Sequence, residues 1–322
     1  MKLTRQLWRF STAIKSMMKL PEKELTIKAP WGNLAALTWG DPKNPPVLLC
    51  HGKLDVCTGF RPLVSRLPPT FFYVTVDLPG NGRSDHFAKG VRFTVIDFVP
   101  TVVTVVKHFK WDKFIYIGHS LGVPIGKFFN IAYPGYITRV VEIDPVPAHH
   151  TWPCDRAGMH DWYHSYYRMY DDEKFVKFNS GMDTAPKYTY EKAQHLMMQT
   201  RGLSKEATVH VLERCLEPAG DGLYRFTFDQ RMKEMPVLPF SGESLGKIYT
   251  TTTTPTFCVL AQKMIDLGMY TAVPFVMDEK AWPNGNYRYK IVDGGHDVHI
   301  DNPDCMAEDI ANFLLEDVKA KL

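Results

Sequence analysis

Phe114-Ile115-Tyr116-Ile117-Gly118-His119-Ser120-Leu121-Gly122 is the stretch whose reading decides the fold. An apolar β-like run, Phe114–Ile117, passes straight into Gly-x-Ser-x-Gly, and an amphipathic helical pattern over Leu121–Tyr133 follows at once. A chain that turns from strand to helix in so few residues is sharply bent. The serine then sits in strained backbone, and side chains at the flanking positions would strike neighbouring backbone, so glycine is required on both sides. Such a turn lifts the serine oxygen above the carboxyl edge of a sheet. It also aims the N–H of Leu121, at the helix start, at the place where negative charge would collect. The Gly and Ser content of the chain predicts on the order of 0.05 chance matches to this pattern, so coincidence is set aside and Ser120 is the candidate nucleophile.

Outward from Ser120 the pattern is regular. Strands are expected at Glu24–Lys28, Leu34–Trp39, Pro46–Cys50, Phe72–Val76, Phe114–Ile117, Val140–Ile143, Thr256–Leu260 and Tyr287–Val292. The central ones are continuously apolar, as strands buried on both faces of a parallel sheet must be. Helices are expected from Thr94, with Asp97 completing a capping box, to about Lys110, over Leu121–Tyr133, and over Pro303–Lys319. The alternation predicts a doubly wound α/β fold, a mostly parallel sheet flanked by helices. It breaks between Pro145 and Lys247, where strand-like runs are scarce and Trp152, Trp162, Tyr163, Tyr166, Tyr167, Met169 and Tyr170 crowd together. The expected organisation is a basic N-terminal extension over residues 1–20, a core over 21–144 and 248–322, and a helical cap over 145–247 inserted after the sixth strand.

Acyl transfer by a serine needs a base, an acid to orient it and a second oxyanion donor. The loop after Pro46–Cys50, His51-Gly52-Lys53-Leu54-Asp55, can bend at Gly52 towards Ser120, which makes the Lys53 N–H the expected donor. His51 and Asp55 are expected to fix that loop, and the Gly/Pro-rich turn Asp77 to Ser84 to be architectural. Late in the chain Asp293-Gly294-Gly295-His296-Asp297-Val298-His299 follows a strand, and His296, directly after two glycines, is the candidate base. His299 is expected to pack or hydrogen-bond near the last helix. With no third ligand at usable spacing, neither a metal nor another cofactor is expected. Two carboxylates remain open as the acid. Asp144 stands immediately at a strand end in Glu-Ile-Asp-Pro and is preferred. Asp266 follows the strand Thr256–Leu260, the commoner source, but lies about two residues late, and it is the alternative.

These residues resemble those of the α/β-hydrolases, and within them the serine hydrolase-like (kraken-like) proteins of animals. The resemblance rests on Ala29-Pro30-Trp31-Gly32, Pro46 to Gly52 with Leu54-Asp55, Asp77 to Ser84, Gly118 to Gly122, Gly295-His296 with His299, and Asp229-Gln230-Arg231, and it spans about residues 24 to 316. It implies a carboxylic-ester hydrolase, in a family sometimes placed in peroxisomes. Lys53 departs from the Trp often found there in relatives; the backbone donor survives, but the pocket wall becomes cationic. Related epoxide hydrolases and dehalogenases carry Asp at the Ser120 position, which disfavours those reactions here.

Composition narrows the field further. In 322 residues, 45% are hydrophobic and 23% charged, ample for one large core and unlike a disordered chain. A net charge of +3 does not point to a nucleic-acid partner, and no apolar stretch approaches the length of a membrane span. The charge is also local: taking Lys2, Arg5, Arg9, Lys15 and Lys19 from +3 leaves −2 for the rest. That basic segment reads as a mitochondrial presequence, a membrane-surface helix or a solvated extension. Ala320-Lys321-Leu322 approximates a peroxisomal address, with cytoplasm or mitochondrion as the alternatives. Six scattered cysteines without a C-x-x-C pair favour a reducing compartment. The function expected is hydrolysis of a small-molecule ester with a hydrophobic acyl group. The alternatives are an acyl-CoA thioesterase, which Lys53 and the Met-rich, aromatic cap would suit, and a ligand carrier without catalysis.

Overall fold

A computed structural model describes residues 20–145, 147 and 151–320, the side chains of the last four excepted. The basic residues 1–19 and the Lys321-Leu322 end of the candidate address lie outside the described residues.

Eight strands form one sheet in the order β1-β2-β4-β3-β5-β6-β9-β10. They are β1 Glu22–Ala29, β2 Gly32–Trp39, β3 Pro46–Cys50, β4 Phe72–Val76, β5 Phe114–His119, β6 Ile137–Ile143, β9 Thr256–Ala261 and β10 Tyr287–Val292. β1–β2 and β2–β4 pair antiparallel, and every other neighbouring pair is parallel. β3, β5 and β9 are buried at nearly every position, whereas β1 and β10, at the two edges, carry exposed residues. Their apolar runs follow from that double burial. Alternate residues face opposite sides: Val47, Leu49, Ile115 and Ile117 join one core with Phe60, Met306, Ile310 and Phe313. Leu48, Cys50, Phe114 and Tyr116 join the other with Phe98, Val102, Val105, Ile125 and Phe129.

The helices are, in chain order, α1 Arg61–Val64, α2 Val99–Phe109, α3 Gly122–Ala132, α4 Arg156–Arg168, α5 Glu173–Asn179, α6 Tyr190–Arg201, α7 Lys205–Cys215, α8 Gly242–Tyr249, α9 Gln262–Asp266, α10 Val298–Asp301 and α11 Asp304–Ala320. The expected helix from Thr94 opens with a 3₁₀ turn over Val95–Phe98 before α2 begins. Asp97 Oδ2 accepts from the Thr94 N–H at 2.6 Å and from its hydroxyl at 3.0 Å, holding that turn at its start.

Between β6 and β9 the described residues add nothing to the sheet. α4 to α8 lie here, together with β7 Leu216–Pro218 and β8 Tyr224–Phe226, an antiparallel ribbon. The helical insertion expected here thus includes one short ribbon. Gly220 and Gly222 adopt φ of 84° and 71° and turn the ribbon in so few residues that no alternating pattern could announce it. The expected boundary at residue 248 also falls inside α8.

Three arginines fasten this segment to the core. Arg214 of α7 reaches Asp77 at 2.6 Å and Glu24 at 2.9 Å. Arg231 donates to the backbone carbonyls of Phe87, Ala88 and Val91 and to Asp229. Arg201, the last residue of α6, reaches Asp55 and Asp297. The Asp229-Gln230-Arg231 element is thus a strap over the chain that follows β4. The turn after β4 is held as expected: Asp77 accepts from the N–H groups of Cys57 and Arg83, both at 2.9 Å.

At the carboxyl edge of the sheet the backbones come together closely. A Cβ on Gly122 would lie 2.2 Å from the Cys50 carbonyl oxygen, and one on Gly118 would lie 2.8 Å from the Gly122 carbonyl. Gly122→Ala is expected to cost about 3 kcal/mol, because the Cys50 carbonyl it meets is backbone that cannot rotate away. Urea unfolding of the two proteins measures it; a loss under about 1 kcal/mol would mean that β3 and the turn can part.

Candidate active site

Ser120 has φ 51°, left-handed backbone that a non-glycine residue adopts only when its surroundings impose it. Here they do. The Ser120 N–H donates to the Ile143 carbonyl at 3.1 Å, and the Ser120 carbonyl accepts from Val123 at 3.0 Å. The hydroxyl is left above the ends of β3, β5 and β6. Leu121 follows at the N-cap of α3, where the first N–H groups of a helix have no partner within it.

The His296 loop descends from β10 onto this serine. Ser120 Oγ and His296 Nε2 are 2.8 Å apart, and His296 Nδ1 and Asp144 Oδ2 are 2.5 Å apart. Since the carboxylate only accepts, Nδ1 carries the proton and Nε2 presents its lone pair to the serine hydroxyl. Burial pulls the His296 pKa down, but the hydrogen bond and charge of Asp144, with the charge of Asp297, outweigh it and leave the imidazole more basic than usual.

Asp144 ends β6 with φ 43° and is completely buried. Its Oδ1 accepts from the Ala261 N–H at 3.0 Å and from the Tyr270 hydroxyl at 2.5 Å. Three donors therefore fix the carboxylate, one of them the imidazole. Asp266, the alternative acid, is not brought to the site. It is exposed at the end of α9 and accepts from Gln262 Nε2 at 2.7 Å. A short helix follows β9 directly, and it carries Asp266 to solvent instead of back over the sheet edge.

Gly52 backs onto the serine: a Cβ there would lie 3.0 Å from the Ser120 Cβ. Lys53 follows it, so its N–H belongs to the same small region as that of Leu121. Desolvation lowers the Lys53 pKa, opposed by the charge of Glu234 in the inserted segment. His51 and Asp55 hold the loop. The Leu78 N–H donates to His51 Nε2 at 2.9 Å, so His51 Nδ1 donates to the Gly52 carbonyl at 2.7 Å.

His119, inside the Gly-x-Ser-x-Gly pattern, donates from Nε2 to the His296 carbonyl at 2.9 Å. His299 packs against it at a tilt, with ring centroids 4.1 Å apart, and likewise against Phe60 at 5.2 Å. Burial lowers the pKa of both, that of His299 to about 3, so both are neutral. Asp55, His119 and His299 place ligand atoms within 4.8 Å of one another, a set that no linear spacing suggests. The Arg201 guanidinium, 3.0 Å from Asp55, sets a positive charge against any cation there.

Sequence reasoning passed over Tyr270, Arg201 and Asp297. Tyr270 and Arg201 offer no local signal, because they meet their partners 126 and 96 residues away. Asp297 had one: a second charged residue beside the base.

Residues 45–303 match the family model of the alpha/beta hydrolase fold. A serine hydrolase-like protein of Danio rerio is 28% identical over 305 residues, covering 92% of this chain and 90% of that one. A probable serine hydrolase of Drosophila melanogaster is 26% identical, covering 91% and 88%. Among solved structures, a hypothetical protein of Pseudomonas aeruginosa superposes with a TM-score of 0.74 at 25% identity, covering 92% of this chain and 99% of that one. With a mostly parallel sheet, a serine on a strained strand-to-helix turn and these relatives, the chain belongs to the α/β-hydrolase family, among its serine hydrolase-like members.

Proposed function

We propose that the chain hydrolyses a carboxylic ester of a hydrophobic acyl group with Ser120, His296 and Asp144 as its catalytic residues. The observation that carries this reading is the unbroken hydrogen-bonded line from a strained serine through an imidazole to a buried carboxylate, at 2.8 and 2.5 Å. Ser120 Oγ attacks the ester carbonyl while His296 Nε2 takes its proton. The imidazolium formed lies against Asp144, and the N–H groups of Leu121 and Lys53 receive the oxyanion. Collapse of the intermediate expels the alcohol, protonated by His296. Water, deprotonated by the same nitrogen, then releases the acid from the acyl-enzyme.

The inserted segment acts in this reading as a cap that supplies apolar surface. Apolar side chains of this segment and of α3, among them Pro124, Phe128, Leu238, Phe240 and Tyr249, close on one another around a space of only about 10 Å³, no larger than one water. Lys53 favours a second reading, an acyl-CoA thioester, whose phosphates a cation at the mouth would attract.

Labelling with a fluorophosphonate tests the chemistry. Wild type is expected to be labelled at Ser120 and Ser120→Ala to stay unlabelled; equal behaviour of the two would remove the nucleophile assignment. Asp144→Asn is expected to lower kcat by about 10⁴, as loss of the correct imidazole tautomer does, and Asp266→Asn to leave it within about twofold. The base must be neutral to accept a proton, so activity falls as pH drops through the raised His296 pKa, and the acid limb of kcat/KM is expected above the ordinary histidine value. Asp144→Asn removes the largest raising influence, so its residual activity is expected to persist to lower pH; an unmoved limb refutes the assignment. For Lys53→Met, kcat/KM on an uncharged aryl ester is expected to stay within about twofold while any acyl-CoA turnover falls about fivefold. No thioester cleavage beside brisk ester cleavage ends the second reading.

A further inference from the structure

A single side chain of the inserted segment touches two loops that meet at Ser120. Arg201 Nε donates to Asp297 Oδ2 at 2.8 Å, Nη2 donates to the other oxygen of the same carboxylate, and Nη1 donates to Asp55 Oδ1 at 3.0 Å. Asp297 is the residue after His296, and Asp55 lies two residues after Lys53. One planar guanidinium therefore grips the base loop bidentately and keeps a third donor for the oxyanion loop. The base loop is also held from its other side, where His119, the neighbour of Ser120, donates to the His296 carbonyl at 2.9 Å.

Stability is a poor explanation for this arrangement. Asp55 and Asp297 are only 1% and 5% exposed, and the desolvation of such a charged group offsets most of its attraction, so apolar residues of similar volume commonly hold a fold as well. The location is more telling. The groups facing His296 are Asp144 from β6, His119 from β5, His299 from α10, Asp297 from its own loop and Arg201 from α6. Both other histidines are neutral. Asp297 favours the protonated imidazole and Arg201 opposes it, so the pair brackets the base electrostatically as well as mechanically.

We propose that Arg201 is a positioning residue for the reaction: its fork holds the His296 loop and the Lys53 loop in register with Ser120, which makes the inserted segment part of the machinery that aims the base. This rests on the reading of Ser120, His296 and Asp144 given above. A lysine cannot substitute, because its point charge satisfies one carboxylate and leaves the other loop unheld.

The test measures Ser120 labelling by a fluorophosphonate and aryl-ester kcat and KM across pH for wild type, Arg201→Lys and Asp297→Asn, with circular dichroism and thermal melting to establish folding. Arg201→Lys keeps the charge and is expected to lower kcat about 10- to 100-fold with KM little changed and the pH midpoint unmoved, the signature of a misaimed base. Asp297→Asn keeps the Arg201–Asp55 pair and removes a carboxylate that favours the imidazolium, so its acid limb is expected to move to lower pH. Folded Arg201→Lys protein with wild-type kcat overturns the proposal. Should Arg201→Lys fail to fold, Asp297→Asn decides by its kcat, expected about 10-fold lower with KM little changed because the bidentate grip on the His296 loop is lost; wild-type kcat in that folded variant overturns the proposal. Wild type left unlabelled at Ser120 would instead bring down the underlying reading of the site, so the two failures are told apart.

Discussion

The site depends on a backbone crossing that admits no Cβ. Gly122 passes the end of β3 so closely that a methyl group would sit 2.2 Å from the Cys50 oxygen, and a methyl group on Gly52 would sit 3.0 Å from the side chains of Ser120 and His119. That proximity fixes several things together. It bends the chain at Ser120 into the left-handed region, brings the Lys53 loop beside the serine, and seats α3 with its first N–H groups towards the same point. The Tyr116 hydroxyl, donating to the Gly122 carbonyl at 2.6 Å from beneath, locks the crossing from the core side.

Parallel pairing does the rest of the assembly. β3, β5, β6, β9 and β10 all end at one edge, so each can deliver a loop there. Ser120 comes off β5, Asp144 off β6, and His296 off the loop beyond β10. The Ala261 N–H at the end of β9 holds the Asp144 carboxylate. The inserted segment lies against this edge without extending the sheet, held both by an apolar cluster in which Ala193, Met197, Val211 and Leu212 pack with Val56 and Ile300 and by its arginines. A guanidinium pairs only in defined directions, whereas apolar surfaces slide, so charged attachments give the segment a fixed register even where their net contribution to stability is small.

Much of this was legible in the sequence, and the limits have physical causes. The sheet could be read because double burial makes continuous apolar runs, as in Val-Leu-Leu-Cys of β3 and Phe-Cys-Val-Leu of β9. Ser120 and His296 could be read because strained turns need glycine neighbours at fixed spacing. The choice between Asp144 and Asp266 could not, since it turns on where the helix after β9 points and not on how many residues separate the strand from the carboxylate. The β7–β8 ribbon is three residues on each side, too short for a period to register. Arg201 and Tyr270 are ordinary residues in a linear text. Asp229-Gln230-Arg231 could be noticed as a word, but its sense, a strap across three carbonyls, exists only in the folded chain.

The left-handed backbone at Ser120 sets two demands against each other. A glycine would occupy φ 51° without steric conflict, so the position that most relaxes the fold is filled by a residue that tightens it. A sequence from this family with glycine here would keep the same scaffold and lose the strain and the hydroxyl in one step.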